Sequence, residues 1–243
     1  MTELTSFTAR TVLAPLDDTS RSAAVLRRLT QAIRMGLISD GEQLPSENQL
    51  AGSLGVSTVT LREALAALRE QGLVETRRGR GGGTFVVTPA EHLPEELADR
   101  LGAFSPQQLR DIGDIRAAIA GSAARLAAER ALPAEQARLR EQWAILRDAP
   151  SVGDRRRADT RLRVEVAAAA QSPRLAQGTI RLIAEVGDLL WLPEQAAVSV
   201  DDWAALLDAI GARRAKKARD LAEQHVAAET ARLVDLRLRV AEP

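Results

Sequence analysis

The sequence predicts a mainly α-helical protein with two domains: a small N-terminal domain that ends in a β-hairpin, and an all-helical C-terminal domain. Three observations predict this fold class. Apolar residues recur at helical spacing over most of the chain. The length of 243 residues is comfortable for two domains. A short proline-containing stretch, residues 89–94, is predicted to link them. Residues 1–19 show no periodicity and are predicted to form a flexible arm.

The composition is that of a folded protein, with 45% hydrophobic and 27% charged residues. The absence of cysteine excludes disulfides and thiolate metal sites. No apolar run approaches the roughly 20 residues that span a membrane, and no signal peptide is recognisable, so we expect a cytoplasmic protein without a membrane partner. The net charge is zero, whereas nucleic-acid binders are often basic. Any DNA contact must therefore depend on local charge, and we expect modest affinity at physiological salt.

The N-terminal domain, residues 20–88, is predicted to contain three helices. Ser46 caps the second helix, and Gln49 three residues later completes a capping box. The third helix begins at Ser57, and Gly72 stands where a C-terminal cap belongs. Two helices separated by a tight turn are the arrangement of a helix-turn-helix, in which the second helix presents its N-terminal residues to base edges in the major groove.

A β-hairpin is predicted next, with strands at residues 73–76 and 84–87 around a glycine-rich basic loop. The glycines would let the backbone approach phosphate closely, and Arg77, Arg78 and Arg80 supply local positive charge. An isolated arginine is usually only solvated, and an Arg/Gly loop is often only a flexible turn. The order of helices and hairpin nevertheless favours a winged helix-turn-helix that binds double-stranded DNA.

The C-terminal domain, residues 95–243, is predicted to be an all-α bundle. Ser105, Pro106 and Gln108 combine a cap, an N1 proline and a capping-box glutamine at the start of its first long helix. The helices are predicted at residues 106–130, 133–148, 152–170, 173–190, 200–211 and 214–239.

The N-terminal domain closely resembles that of the GntR (gluconate-repressor) family. The resemblance rests on GEQLPSENQLAGSLGVS, LREAL, GLV and GTFV, which occur in register over residues 20–88. It implies DNA contacts by Asn48, Ser57, Thr58, Thr60, Arg62, Arg78 and Gly79. Asn48 and Thr58 stand where relatives commonly carry arginine, so we expect an operator unlike the commonest half-site of the family. Arg62 is the first choice for a base contact, because arginine can bind guanine through two hydrogen bonds.

The C-terminal domain resembles the FCD effector domain of FadR-type GntR regulators, in DIRAAIAGSAARLAAERA, DTRLRVEVAAAA and WAALLDAI followed by AEQHV. The resemblance implies a homodimer, a small carboxylate effector and a metal held by one aspartate and three histidines. Asp159 and His225 match that pattern, but Arg163 and Trp203 stand in place of the other two histidines. Because a zinc site needs at least three protein ligands, the sequence predicts that the metal site is lost and that the protein has no cofactor.

Helical spacing places Asp159 and Arg163 together on an otherwise apolar face, and Arg116 interrupts another apolar stripe. We hypothesise that Arg163 replaces the charge of the metal, pairs with Asp159 and leaves donors for an anionic effector. Arg116 would be a second anchor, Trp203 a pocket wall, and His225 a further pocket residue. Alternatively, Asp159 and Arg163 form an ordinary i,i+4 ion pair and Trp203 fills the cavity.

These features together predict a sequence-specific transcriptional regulator. A homodimer would bind a pseudo-palindromic operator as a repressor and be released by a small carboxylate. The alternative is a constitutive DNA-binding regulator whose pocket is filled. An enzyme is disfavoured and no catalytic residue is predicted, because the chain has no cysteine, no tyrosine, no nucleophile elbow and no P-loop.

Overall fold

The computed structural model describes residues 21–79, 81–88, 94–192 and 200–241. The chain forms two compact units, residues 1–90 and 91–243, each of which makes most of its contacts within itself. The division falls inside the stretch that the sequence predicts as a linker. The predicted arm and residues 89–93 of that linker lie outside the described residues.

Over its described residues, the first unit contains three helices and a two-stranded antiparallel sheet. The helices are α1 (Arg21–Arg34), α2 (Glu47–Leu54) and α3 (Thr58–Glu70), and the strands are β1 (Val74–Arg77) and β2 (Gly83–Val86). The capping box of Ser46 and Gln49 is present, and Ser57 caps α3 through the Thr60 amide. The predicted fold class is therefore confirmed in this unit, with strand and helix ends displaced by about one residue.

A segment before α2 also pairs with β2. The Gly41 amide donates to the Val86 carbonyl, the Val86 amide donates to the Glu42 carbonyl, and the Leu44 amide donates to the Thr84 carbonyl. These bonds attach the chain before the helix-turn-helix to the hairpin. This pairing was not predicted from the sequence, since the segment is short and lacks a strand-like alternation of apolar residues.

The second unit is all-helical over its described residues. It contains α4 (Pro94–Gly102), α5 (Pro106–Arg130), α6 (Pro133–Asp148), α7 (Val152–Ala169), α8 (Pro173–Val186), a 3₁₀ helix (Gly187–Trp191), α9 (Val200–Gly211) and α10 (Ala215–Ala241). The predicted helix over 173–190 is thus an α-helix followed by a 3₁₀ turn, and α4 was not singled out from the sequence. None of the described helices is long and apolar enough to cross a membrane.

Helices α5 and α10 pack against each other at very short range. A Cβ atom added to Gly113 of α5 would overlap Thr230 of α10, and one added to Gly121 would lie 2.5 Å from Glu223 Oε1. Glycine at these two positions therefore permits the close approach of the helices. Arg116 lies one turn beyond Gly113, so this packing brings it against α10, where Glu229 precedes Thr230.

Candidate nucleic-acid interface and buried charge cluster

The N-terminal turn of α3 is accessible. Ser57 is exposed, Thr58 and Thr60 are half-buried, and the Arg62 side chain is 65% exposed. Val59 between the threonines is 62% exposed and was not predicted as a site residue; an apolar side chain here can contact a thymine methyl group. The opposite face of α3 is anchored in the core by Leu61, Ala64, Leu65 and Leu68. The helix can therefore present its leading residues to a groove.

Arg62 is held by an acidic residue of the neighbouring helix. Its Nε donates to Glu47 Oε2 at 2.7 Å, which links the first turn of α2 to α3. Glu47 was not among the predicted site residues, although it precedes Asn48, which was predicted and is exposed. The pair spans 15 residues, so no i,i+4 pattern reveals it.

The hairpin places basic side chains beside its glycine-rich loop. Arg77 Nε donates to Glu75 Oε1 at 2.7 Å, and its guanidinium lies over the Phe85 ring, 4.3 Å from the ring centroid. Arg78 and Gly79 are exposed, and the φ of +98° at Gly79 favours glycine. Arg80, which was also predicted to contact DNA, lies outside the described residues. Arg77 is thus fixed to the strands, while Arg78 stands at the exposed loop.

In the second unit, four predicted effector residues come together: Asp159 and Trp203 are buried, and the side chains of Arg163 and His225 are 9% and 8% exposed. Arg163 Nε donates to Asp159 Oδ2 at 2.7 Å, and Trp203 Nε1 donates to Asp159 Oδ1 at 3.0 Å. Arg163 Nη2 lies 3.2 Å from His225 Nε2. The two carboxylate oxygens of Asp159 are therefore each engaged, one by the guanidinium and one by the indole.

Glu229, which was not predicted as a site residue, completes this cluster. It is 1% exposed and accepts from Nη2 of Arg116 at 2.8 Å and from both Nη groups of Arg163. Two arginines thus face two carboxylates. One signal could have found it: Glu229 lies four residues after His225 on the same helix, so both residues share one face of α10.

The oppositely charged groups of the cluster favour each other's charged forms. Burial alone would raise the pKa of Glu229, but the attraction of Arg163 and then of Arg116 holds that pKa well below its ordinary value. Burial acts to lower the pKa of Arg163, and its two carboxylate partners, Asp159 and Glu229, raise it above its usual range. Burial lowers the pKa of Arg116, although the charge of Glu229 opposes this effect.

The lowered pKa of Glu229 gives its contribution to stability a definite pH dependence. The contribution is fully present above the ordinary value of 4.5 and is lost as the pH falls through the lowered folded-state pKa. We expect the difference in unfolding free energy between wild type and Glu229→Gln to be largest near neutrality and to shrink on acidification. Urea titrations at a series of pH values down to about 3 measure it. A difference that stays constant over this range would contradict the assignment.

A cavity of about 60 Å³ adjoins the cluster. Its lining comes from α5, α7, α8, α9 and α10 and is mostly apolar, with Arg116, Arg163, Thr179 and His225 as polar members and Trp203 in the wall. Among the described residues, Arg116 has one hydrogen-bond acceptor, Glu229, so further N–H groups of its guanidinium remain for a guest. Arg163 already donates through Nε, Nη1 and Nη2 to the carboxylates of Asp159 and Glu229.

The metal implied by the resemblance does not fit these residues. The guanidinium of Arg163 lies between Asp159 and His225, bonded to the first and in contact with the second, and it supplies positive charge there itself. Among the described residues, no group of three His, Asp or Glu side chains has an arrangement that could hold a metal ion. That the protein works without a metal stays a prediction.

An exposed helix beside a basic hairpin is the arrangement of a DNA-binding transcriptional regulator. A cavity with arginines in its lining, between the helices of the second unit, is the arrangement of an effector-binding domain. Residues 21–86 match the model of the bacterial regulatory proteins of the gntR family, and residues 111–228 match the FCD domain. A protein of Mycobacterium gastri that carries the name HTH-type transcriptional regulator RmpR is 40% identical over 229 residues, which are 92% of this chain and 84% of that protein. The chain therefore belongs to the GntR family, with an FCD domain.

Two further known proteins are similar to the chain. A protein of Escherichia coli named as an L-lactate dehydrogenase operon regulatory protein is 37% identical over 137 residues, 54% of this chain and 52% of that protein. The solved structure described as E. coli McbR/YncC matches with a TM-score of 0.52 at 22% identity, covering 90% of this chain and 99% of that one. At this identity the structural match supports the fold alone. The named relatives are regulators rather than enzymes.

Proposed function

We propose that the chain is a sequence-specific repressor that binds a pseudo-palindromic operator as a homodimer and is released by a small carboxylate. The DNA-binding part of the proposal rests on the exposed leading turn of α3 beside the hairpin. Operators of two-fold symmetry mirror the symmetry of dimeric helix-turn-helix proteins. Because Asn48 and Thr58 stand where relatives commonly carry arginine, the operator would differ from the commonest half-site of the family.

The observation that carries the effector proposal is the guanidinium of Arg116 at the cavity. A guanidinium recognises a carboxylate through paired hydrogen bonds, and Arg116 has donors left after its bond to Glu229. Arg163 then acts as the central cation of the cluster, in the role that a metal has in relatives, while Arg116 is the anchor that the effector meets.

The size of the cavity restricts the effector. Since a water needs roughly 10–15 Å³ of cavity volume, 60 Å³ holds only a few heavy atoms of the effector, those of the part that would enter the cavity. A short carboxylic acid fits this volume. The name of the E. coli relative refers to an L-lactate dehydrogenase operon, and lactate is a short carboxylate. The alternative of a filled pocket is less well supported, because Trp203 forms a wall of the cavity and leaves space beside it.

Release requires that the effector bind the DNA-incompetent state more tightly than the competent one. Coupling of this kind is typically worth about 1–3 kcal/mol, which corresponds to roughly 5- to 150-fold in DNA affinity. A carboxylate bound to the remaining donors of Arg116 would share the guanidinium charge with Glu229 and so weaken the contact between α5 and α10.

A thermal-shift screen of short carboxylic acids on the full chain tests the effector proposal. We expect at least one acid to raise the melting temperature of wild type and to lower its affinity for DNA. Arg116→Gln should abolish both effects. Arg125→Gln is the matched control, because it removes an exposed arginine from the same helix, and it should respond as wild type does. Binders that act equally on wild type and Arg116→Gln would rule out Arg116 as the anchor.

A further inference from the structure

A carboxylate lies on the surface that is proposed to meet DNA. Glu47 is the first residue of α2, its side chain is 42% exposed, and it is bonded to the arginine expected to read a base. Negative charge next to phosphates opposes binding, because affinity for nucleic acid derives largely from neutralising the phosphates. An acidic residue here therefore has to contribute something other than affinity.

The geometry of the pair indicates what that is. Glu47 accepts from Nε of Arg62 at 2.7 Å, and this bond engages the side edge of the guanidinium, so one N–H of each terminal Nη group remains available at its end. The guanidinium is thereby held in one orientation while a pair of donors stays available. Guanine presents two acceptors, O6 and N7, on its major-groove edge, and arginine recognises it with two donors. An arginine held through Nε is prepared for this contact.

The carboxylate also changes how Arg62 interacts with DNA in general. A bare arginine binds phosphate at any sequence, and such contacts position a protein without conveying sequence information. When its charge is balanced by a neighbouring carboxylate, the gain from a phosphate contact falls. The short, directional bonds to a guanine edge are less affected, because they depend on the placement of the donors.

We propose that Glu47 is a specificity-determining residue, which orients Arg62 for a guanine and suppresses its binding to non-operator DNA. This inference rests on the proposed function. Glu47 is then a positioning residue that acts through Arg62. It controls the ratio of operator affinity to non-operator affinity rather than affinity itself.

The test compares wild type with Glu47→Gln in the full chain. Each is titrated with an operator selected from random duplexes and with a scrambled duplex of equal length, at several salt concentrations. For Glu47→Gln we expect scrambled-DNA affinity to rise about threefold, its salt dependence to steepen by about one counterion, and the affinity ratio to fall about tenfold. Glu63→Gln removes the same charge from α3 and should leave the ratio unchanged.

A double-mutant cycle with Arg62→Ala separates positioning from a general charge effect. If Glu47 acts through Arg62, Glu47→Gln will not change the affinity ratio further once Arg62 is alanine. A full additional effect in that background, or an unchanged ratio in the single variant, overturns the inference while the proposed function stands. If wild type selects no operator at all, the proposed function fails, and this inference fails with it.

Discussion

Replacing Glu229 with glutamine is expected to destabilise the helical unit by about 3–5 kcal/mol. The substitution leaves Arg116 and Arg163 buried with only one carboxylate, Asp159, between them, and breaking a buried ion pair by removing one partner has this typical cost. Urea unfolding followed by tryptophan fluorescence measures it. All three tryptophans of the chain lie in the second unit, so the signal reports on that unit.

The control is Asp220→Asn on the same helix. Asp220 pairs with Lys216 at the surface, where its side chain is 45% exposed, and pairs of this kind contribute at most about 1 kcal/mol. We expect the control to unfold close to wild type. A loss of less than about 1 kcal/mol in Glu229→Gln would mean that the cluster is not the electrostatic centre of the bundle.

Replacing Arg62 with alanine is expected to remove much of the ability to distinguish an operator from other DNA. A bidentate arginine–guanine contact is worth roughly 1–3 kcal/mol of discrimination, or about 5- to 150-fold. Competition binding with operator and scrambled duplexes at one salt concentration measures the ratio directly.

Arg69→Ala provides the comparison for this variant. Arg69 is in the last turn of the same helix, where its Nε donates to the Leu65 carbonyl, and its loss removes the same charge. We expect it to weaken binding to both duplexes by a similar factor. If Arg62→Ala behaved in the same way as Arg69→Ala, Arg62 would be a phosphate contact and another residue of α3 would read the bases.

The parts of the fold that were predicted correctly depend on local sequence. Ser46 with Gln49, and Ser105 with Gln108, form capping boxes whose partners are three residues apart, so the sequence contains the whole signal. The switch from α8 to a 3₁₀ helix at Gly187 was missed. Apolar periodicity does not distinguish the end of an α-helix from a short 3₁₀ continuation of it.

The candidate site was only partly predictable, since its charges come from distant segments. The pairing of Asp159 with Arg163 is an i,i+4 contact and was anticipated, whereas the bond of Arg163 to Glu229 spans 66 residues. The position of Glu229 depends on the close packing of α5 and α10, which Gly113 and Gly121 permit. Helix periodicity alone does not indicate which faces of two helices will meet.

Selection of duplexes from a random pool by the purified full chain tests most directly whether the exposed leading turn of α3 reads DNA sequence. We expect enrichment of a motif with two half-sites related by two-fold symmetry, and loss of that enrichment in Arg62→Ala. A pool that remains random after repeated selection in dilute buffer, where electrostatic binding is strongest, would contradict the assignment of α3 as a recognition helix.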